Sequence, residues 1–392
     1  MKTLHLVGHR HNWNLDSHFK NGIGDGFIFC AYSFEPDFYT KEKINKIDSL
    51  QVLEKSFIDL QYFGKKESGN IGKGKLSLYP FHPAADQGTA SQTTCYMESS
   101  IINGVKFQTD LGLTDIIIPN YYENDDLGQF MGLVATINKW LKKNRIGSKR
   151  YYMTIPITYH TIIDAKKIDD LLYTLTDIDI EFDGYYIVCE PKLEIRQKIN
   201  IDFKYLRNLS RVLEVLKKQK FITIYSYANW DTMIFLATCD IDYITIATYE
   251  NLRSFNIKRF LSSEDGGPSK GWYYSEKLLN FIKAPFIELI RQQDGLELIK
   301  NEKNIFSDII LEANYPWSNQ KADVHKNYIL SIDRILKEIG SIDNLIDRKN
   351  FVIRLIDRAI DSYNQLEVKS VYFQDESRNY HLGVWKSYLL AK

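Results

Sequence analysis

The sequence predicts an α/β protein, a (β/α)8 TIM-type barrel carrying a C-terminal helical appendage. Three observations lead there. Apolar runs rich in β-branched and aromatic residues recur along the chain, as in GYYIVCEP (184–191), FITIYSYANW (221–230) and IDYITIATYEN (241–251). Between them lie stretches with helical spacing, such as Phe203, Leu206, Leu209, Leu213 and Leu216. Strands alternating with helices over short links form parallel sheets with right-handed crossovers. Counted from Phe27, eight such runs fit the barrel pattern, and no Gly-rich phosphate fingerprint follows a strand, which disfavours an open doubly wound sheet.

Taken in order, KTLHLVG (2–8) is a short strand within an N-terminal strand and loop, 1–26. The barrel is expected over 27–299, with strands at 27–36, 57–63, 75–83, 114–122, 151–159, 184–190, 221–228 and 241–249. Residues 40–55 carry an amphipathic helical pattern, and 65–75 form a Gly/Lys-rich loop. Helices are expected over 125–143, with lysines at the C-terminal end where the macrodipole favours them, over 164–177, and over 275–293 with an interruption at Pro285. Residues 300–392 form the helical appendage, with helices over 324–339 and 341–363.

Composition narrows the function. The 392 residues suffice for one large barrel plus an appendage. Lys+Arg and Asp+Glu both number 50, so no overall basic excess points to nucleic acid. Local basic candidates are Lys65, Lys66, Lys73 and Lys75, and a second set of Lys142, Lys143, Arg145, Lys149 and Arg150. The cysteines, Cys30, Cys95, Cys189 and Cys239, show no C-x-x-C spacing, so neither a zinc ribbon nor a disulfide framework is expected. No run reaches the length of a membrane span and the N-terminus lacks a signal-peptide pattern, so a cytoplasmic protein without membrane contact is expected.

Barrels of this type place function at the C-terminal strand ends. Carboxylates there, Asp59, Glu190 and Glu250, are the catalytic candidates, since paired carboxylates suit glycosidic chemistry. Tyr32, Glu35, Gln61, Tyr79, Asn120, Tyr159, Tyr227, Asn229 and Tyr249 are the ligand-binding candidates, able to hydrogen-bond and stack a flat ligand. Asp231, ahead of TMIFLA, reads as a helix N-cap. His9 and His11, two apart on an extended segment, point the same way and with His160 form a metal candidate, His82 being a further one. No cofactor is required by the sequence, but this set leaves room for a divalent metal.

The stretch 181–253 resembles the second half of the tRNA-guanine transglycosylase barrel. EFDGYYIVCE (181–190) follows the family's "dFDGYAIGG" strand through Asp183, Gly184, Tyr185 and Ile187. CDIDYITIATYENLR (239–253) follows "GVDMFDC..PTR..R" loosely through Asp242 and Arg253. The resemblance implies a barrel binding a purine-like base, nucleotide or nucleic-acid end, in nucleic-acid modification or phage defence. The departures are specific: the family's catalytic aspartate falls on Thr245, which supplies no carboxylate, its Gly-Gly falls on Val188 and Cys189, and no Cys/His zinc set follows the barrel. The standard base exchange is therefore expected to be lost, leaving Asp59, Glu190 or Glu250 to act. Two alternatives stand beside this: a metal-dependent hydrolase of the amidohydrolase type, and a non-catalytic accessory subunit docking a protein partner through its C-terminal helices.

Overall fold

The computed structural model describes residues 1–63, 74–86, 93–122, 127–261 and 271–392. In chain order, β1 (Lys2–Val7) leads to α1 (Asn12–Asn21) and β2 (Gly26–Cys30). A hairpin of β3 (Lys43–Ile44) and β4 (Ile47–Asp48) precedes α2 (Ser49–Leu53) and β5 (Ser56–Asp59). Next come α3 (Thr94–Asp110), β6 (Asp115–Ile118), α4 (Leu127–Asn144), β7 (Arg150–Ile157), α5 (Tyr159–Ile162) and α6 (Ala165–Leu175). Then follow β8 (Gly184–Cys189), α7 (Phe203–Lys218), β9 (Ile222–Ser226), α8 (Thr232–Leu236), β10 (Tyr243–Ile246) and α9 (Lys258–Leu261). The remainder is β11 (Trp272–Ser275), β12 (Asn280–Lys283), α10 (Ala284–Gln292), α11 (Ile305–Ile310), α12 (Ala322–Gly340), α13 (Leu345–Val368) and α14 (Leu382–Ala391).

Eight strands form one all-parallel sheet in the order β5-β2-β1-β10-β9-β8-β7-β6. Its two edges, β5 and β6, lie side by side, so the sheet is a nearly closed barrel. The barrel strands are buried almost throughout, as strands covered on both faces must be. Gly184 starts β8 where a Cβ would come within 2.0 Å of the Ile222 carbonyl oxygen, so the adjoining strands require glycine there.

Three expectations change. The stretch 75–83 is not a strand: it folds as two short 3-10 turns, Leu76–Leu78 and Pro83–Ala85. Pro80 and Pro83 suit that path, since a proline cannot donate to a central ladder. The place in the barrel belongs to Lys2–Val7, which pairs with both β2 and β10. The helix expected over 40–55 is instead the β3–β4 hairpin followed by α2. Asn45 and Lys46 turn the hairpin at φ 49° and 67°, the left-handed pair a two-residue turn needs, and Asp48 caps α2 through the Leu50 amide at 2.8 Å. The helix expected over 275–293 divides into β12 and α10, with Pro285 in the first turn, where its missing N–H costs nothing. The loop 65–75 and the start of the 125–143 helix fall largely outside the described residues.

The C-terminal helices pack on the barrel. α12 lies against β1, β10, α1 and α8, the position of a helix following β10. Its buried face carries His325, Asn327, Tyr328, Ser331 and Asp333. His325 bonds the Thr248 carbonyl at one end of the barrel, and Asp333 accepts from Thr3 Oγ1 at the other. Arg348 on α13 reaches the Leu236 carbonyl and Asp240. Among the described residues no helix is long and apolar enough to cross a membrane.

Candidate functional site

Two polar regions occupy the C-terminal end of the barrel. The first lies inside its mouth. Asp59, at the end of β5, accepts from the Gln61 amide at 3.0 Å and from Tyr186 Oη at 2.9 Å. Tyr186 also meets Ser226 Oγ at 2.6 Å. Gln61 donates to Tyr227 Oη at 2.6 Å and accepts from the Tyr32 amide at 2.9 Å. Gln61 and Tyr227 hold φ of 56° and 52°, a left-handed backbone that turns both side chains into this network. Burial pushes the Asp59 carboxyl up to about 7, against the Tyr186 and Gln61 hydrogen bonds that favour its charge. Above it sit Phe63, Phe255 and Phe260, with Phe63 4.9 Å from Phe255 and 5.4 Å from Phe260 between ring centres. Asp59 is therefore sealed, 2% exposed.

The second region lies at the rim, where the β10 end meets the β11–β12 hairpin and α12. Tyr249, Glu250, Arg253, Gly271, Trp272, Phe281, Asn319, Val324, His325 and Tyr328 line a cavity of about 130 Å³. Arg253 follows a 3-10 turn that ends the β10 segment and is only 8% exposed. Its guanidinium lies 4.3 Å from the Tyr328 ring centre and 4.7 Å from that of Phe281. Those rings, themselves 5.1 Å apart, give the cation its π contacts, but Nε and Nη1 have no hydrogen-bond partner among the described residues. The buried Trp230 Nε1 and Thr248 Oγ1 are also without a partner among the described residues, and Trp230 lines an adjoining pocket together with Arg253. Buried polar atoms are nearly always satisfied, so a cluster of orphans at one place marks a site.

Charge at the rim is arranged around Arg253. Lys198 donates to Glu250 Oε1 at 2.6 Å and lies 4.0 Å from the Trp272 ring centre. Burial pulls the Lys198 ammonium down and Glu250 offsets this in part. Burial opposes the charge on Glu250, yet Lys198 and Arg253 hold its carboxyl below the ordinary range. Arg253 forms no ion pair with a carboxylate among the described residues, although its charge acts on Glu250. His325 has both ring nitrogens 2.7 Å from carbonyls, of Thr248 and Asn319, and stacks on Trp13. Burial nonetheless pulls its pKa down.

The residues expected at the site are thus divided. Asp59, Gln61 and Tyr227 meet in the mouth, with the Tyr32 backbone; the Tyr32 ring lies under Arg259 at 4.7 Å. Tyr249, Glu250 and Asn229 meet at the rim, Asn229 accepting from Tyr328 Oη at 3.3 Å. The others serve local structure. Glu35 pairs with Lys75 at 2.5 Å, and that partner holds its carboxyl below the usual range. Tyr79 donates to the Phe34 carbonyl, Asn120 accepts from the Tyr121 amide, and Tyr159 donates to Asp202. Glu190 accepts from Tyr122 Oη. Asp59, Glu190 and Glu250 therefore each have a separate partner set.

The His9, His11 and His160 grouping does not form. His11 packs edge-on to Phe34 and Phe38, and His9 lies by Tyr249. Among the described residues no group of three His, Cys, Asp or Glu side chains is disposed to hold a metal. His82 is buried and bonded to the Leu60 carbonyl. Lys65, Lys66 and Lys73 lie outside the described residues. In the second basic set, Arg145 pairs with Asp183 at 2.6 Å and Arg150 with Asp115 at 2.7 Å.

Most of the residues that carry the transglycosylase resemblance tie strands together. Asp183 accepts from the Tyr151 amide and Asp242 from the Thr223 amide. Thr245, at the place of the family's aspartate, accepts from the Ala228 amide. Arg253 alone among them lines the rim cavity. Neither a family model nor a curated protein matches the chain.

Proposed function

We propose that the protein binds a small ring-bearing oxyanion in the rim cavity. The observation that carries this reading is Arg253, a buried cation packed against Tyr328 and Phe281 whose Nε and Nη1 have no hydrogen-bond partner among the described residues. Guanidinium N–H groups donate in the plane of the group, so an in-plane oxyanion is the acceptor that suits them. Trp230 Nε1 adds a donor with no acceptor function, while Tyr249, Trp272 and Phe281 supply flat surfaces. An apolar cavity of about 150 Å³ takes up benzene. At about 130 Å³ the rim cavity accommodates one ring or one phosphate-sized group, with the rest of a ligand extending past the half-exposed Glu250.

A purine-like base, nucleotide or nucleic-acid end is the narrower reading, and the sequence resemblance supports it together with the ring-and-anion character of the cavity. Glycosidic exchange or hydrolysis would fall to Glu250, the only one of the three carboxylate candidates lining the cavity.

Titrating a nucleoside monophosphate and its parent nucleoside near pH 6, followed by tryptophan fluorescence, tests the proposal, with Trp272→Phe identifying the reporter. The monophosphate should bind at least about tenfold tighter, as expected for a charge-assisted hydrogen bond. Equal affinity for the two would sink it.

A further inference from the structure

A small chamber beside the rim cavity bears on which oxyanions the site admits, an argument that rests on the oxyanion reading above. The chamber measures about 10 Å³, and its polar lining includes Lys198, Asn200, Tyr227, Asn229, Asp231 and Arg253. That is the space of one water, or of one ligand oxygen. Arg253 lines both the chamber and the larger cavity, so one oxygen of an anion on Arg253 is the group the chamber fits.

Asp231 is the one carboxylate lining the chamber among the described residues. It occupies the N-cap position of α8 without the usual side-chain cap bond, its carboxyl meets the backbone amides of Asp231 and Thr232, and it is 5% exposed. The groups around it are Lys198 and Arg253, with Glu250 beyond Lys198, and the neutral Cys189, Tyr205, Tyr225, Tyr328 and Tyr380. A carboxylate facing an anion's oxygen repels it unless a proton lies between them. We infer that this site selects oxyanions able to carry a proton, namely hydrogen phosphate or a phosphate monoester, over sulfate, with Asp231 accepting from the P–OH while Arg253 holds the remaining oxygens.

Burial sets the Asp231 carboxyl at about 7, so near pH 8 it is ionised and the shared proton must come from the ligand. Near pH 6 neutral Asp231 itself supplies the proton, and sulfate becomes acceptable. Free phosphate and a monoester are distinguishable on the same ground. A monoester loses its last proton near pH 6, so its affinity falls between pH 6 and 8, whereas inorganic phosphate still carries a proton there.

The test is calorimetric titration of the full chain with inorganic phosphate and with sulfate near pH 8, repeated near pH 6 and with Asp231→Asn. The wild type should prefer phosphate by at least about 30-fold near pH 8, the scale of a like-charge clash. The preference should shrink to a few-fold near pH 6. In Asp231→Asn it should be small at both pH values, through a gain in sulfate affinity. Should that variant fail to fold, the wild-type pH comparison still decides. Equal binding of both anions near pH 8, or an undiminished preference in Asp231→Asn, overturns the inference. No binding of either anion at either pH overturns the oxyanion reading and this inference with it.

Discussion

The barrel mouth and the rim cavity are built from the same materials and differ in how they close their hydrogen bonds. In the mouth Asp59, Gln61, Tyr186 and Tyr227 bond to one another and to strand ends beneath three phenylalanines. At the rim, Arg253 and Trp230 are also buried but leave polar atoms without a partner among the described residues beside open space. A closed network holds a structure together, whereas an open one of donors waits for an acceptor. Carboxylates at strand ends drew attention to the mouth; the pattern of satisfaction draws it to the rim.

The comparison breaks if the mouth proves functional or the rim structural. Asp59→Ala leaves Tyr186 Oη and the Gln61 amide without their buried acceptor and should lower stability by about 3 kcal/mol, with anion affinity unchanged in the fraction that folds. Chemical denaturation paired with titration checks both. A stable variant that has lost binding would move the site to the mouth.

The pH dependence of Asp231 sharpens the same contrast. Its folded pKa, about 7, stands above the unfolded carboxylate value. Native Asp231 thus contributes stability that is whole below about pH 4 and is lost as pH rises through about 7. Asp231→Asn lacks this loss, so the stability gap should move in the variant's favour by roughly 4 kcal/mol between pH 4 and 8. A gap independent of pH would show that the carboxyl is not held neutral. The buried His5 and His82, lowered to about 4 and 3 by burial, act oppositely in both proteins and cancel from the difference.

Arg253→Met separates binding from folding. Losing a charge-assisted contact should weaken oxyanion binding on the order of 100-fold. Stability should hold or rise, because an unpaired buried charge gives way to an apolar side chain of similar length. A fall in stability beyond about 2 kcal/mol would make Arg253 a structural residue. The smallest effect is expected from Glu190→Gln, which still accepts from Tyr122: less than about 1 kcal/mol in denaturation and no change in affinity.

Much of the fold was legible in the sequence because buried parallel strands announce themselves as apolar runs with helical spacing between them. The error at 75–83 has a physical source. KLSLYPFHP alternates as a strand does in its first half, but its two prolines cannot serve a central ladder. KTLHLVG reads as a strand, but its place in the barrel shows only when NWNLDSHFKN is seen as the helix completing its βα unit. The candidate site was less legible. Tyr249, Glu250 and Asn229 are legible because they follow strand ends. Lys198, Trp272, Phe281, His325 and Tyr328 come from separate elements that only the fold brings together, with no spacing to signal them. Asp231 does stand at the N-cap of α8 as the sequence suggests, and what the sequence hides is that its side chain makes no cap bond and faces the chamber instead. Arg253 stands out in the sequence only within the resemblance; its unpartnered Nε and Nη1 are a property of the packed rim.

The most direct measurement is the affinity of the wild type and of Arg253→Met for inorganic phosphate, by calorimetry near neutral pH. The account predicts saturable, one-to-one binding to the wild type that is lost in a variant which melts at the same temperature or higher. Equal binding by both proteins, or none by the wild type, would contradict it.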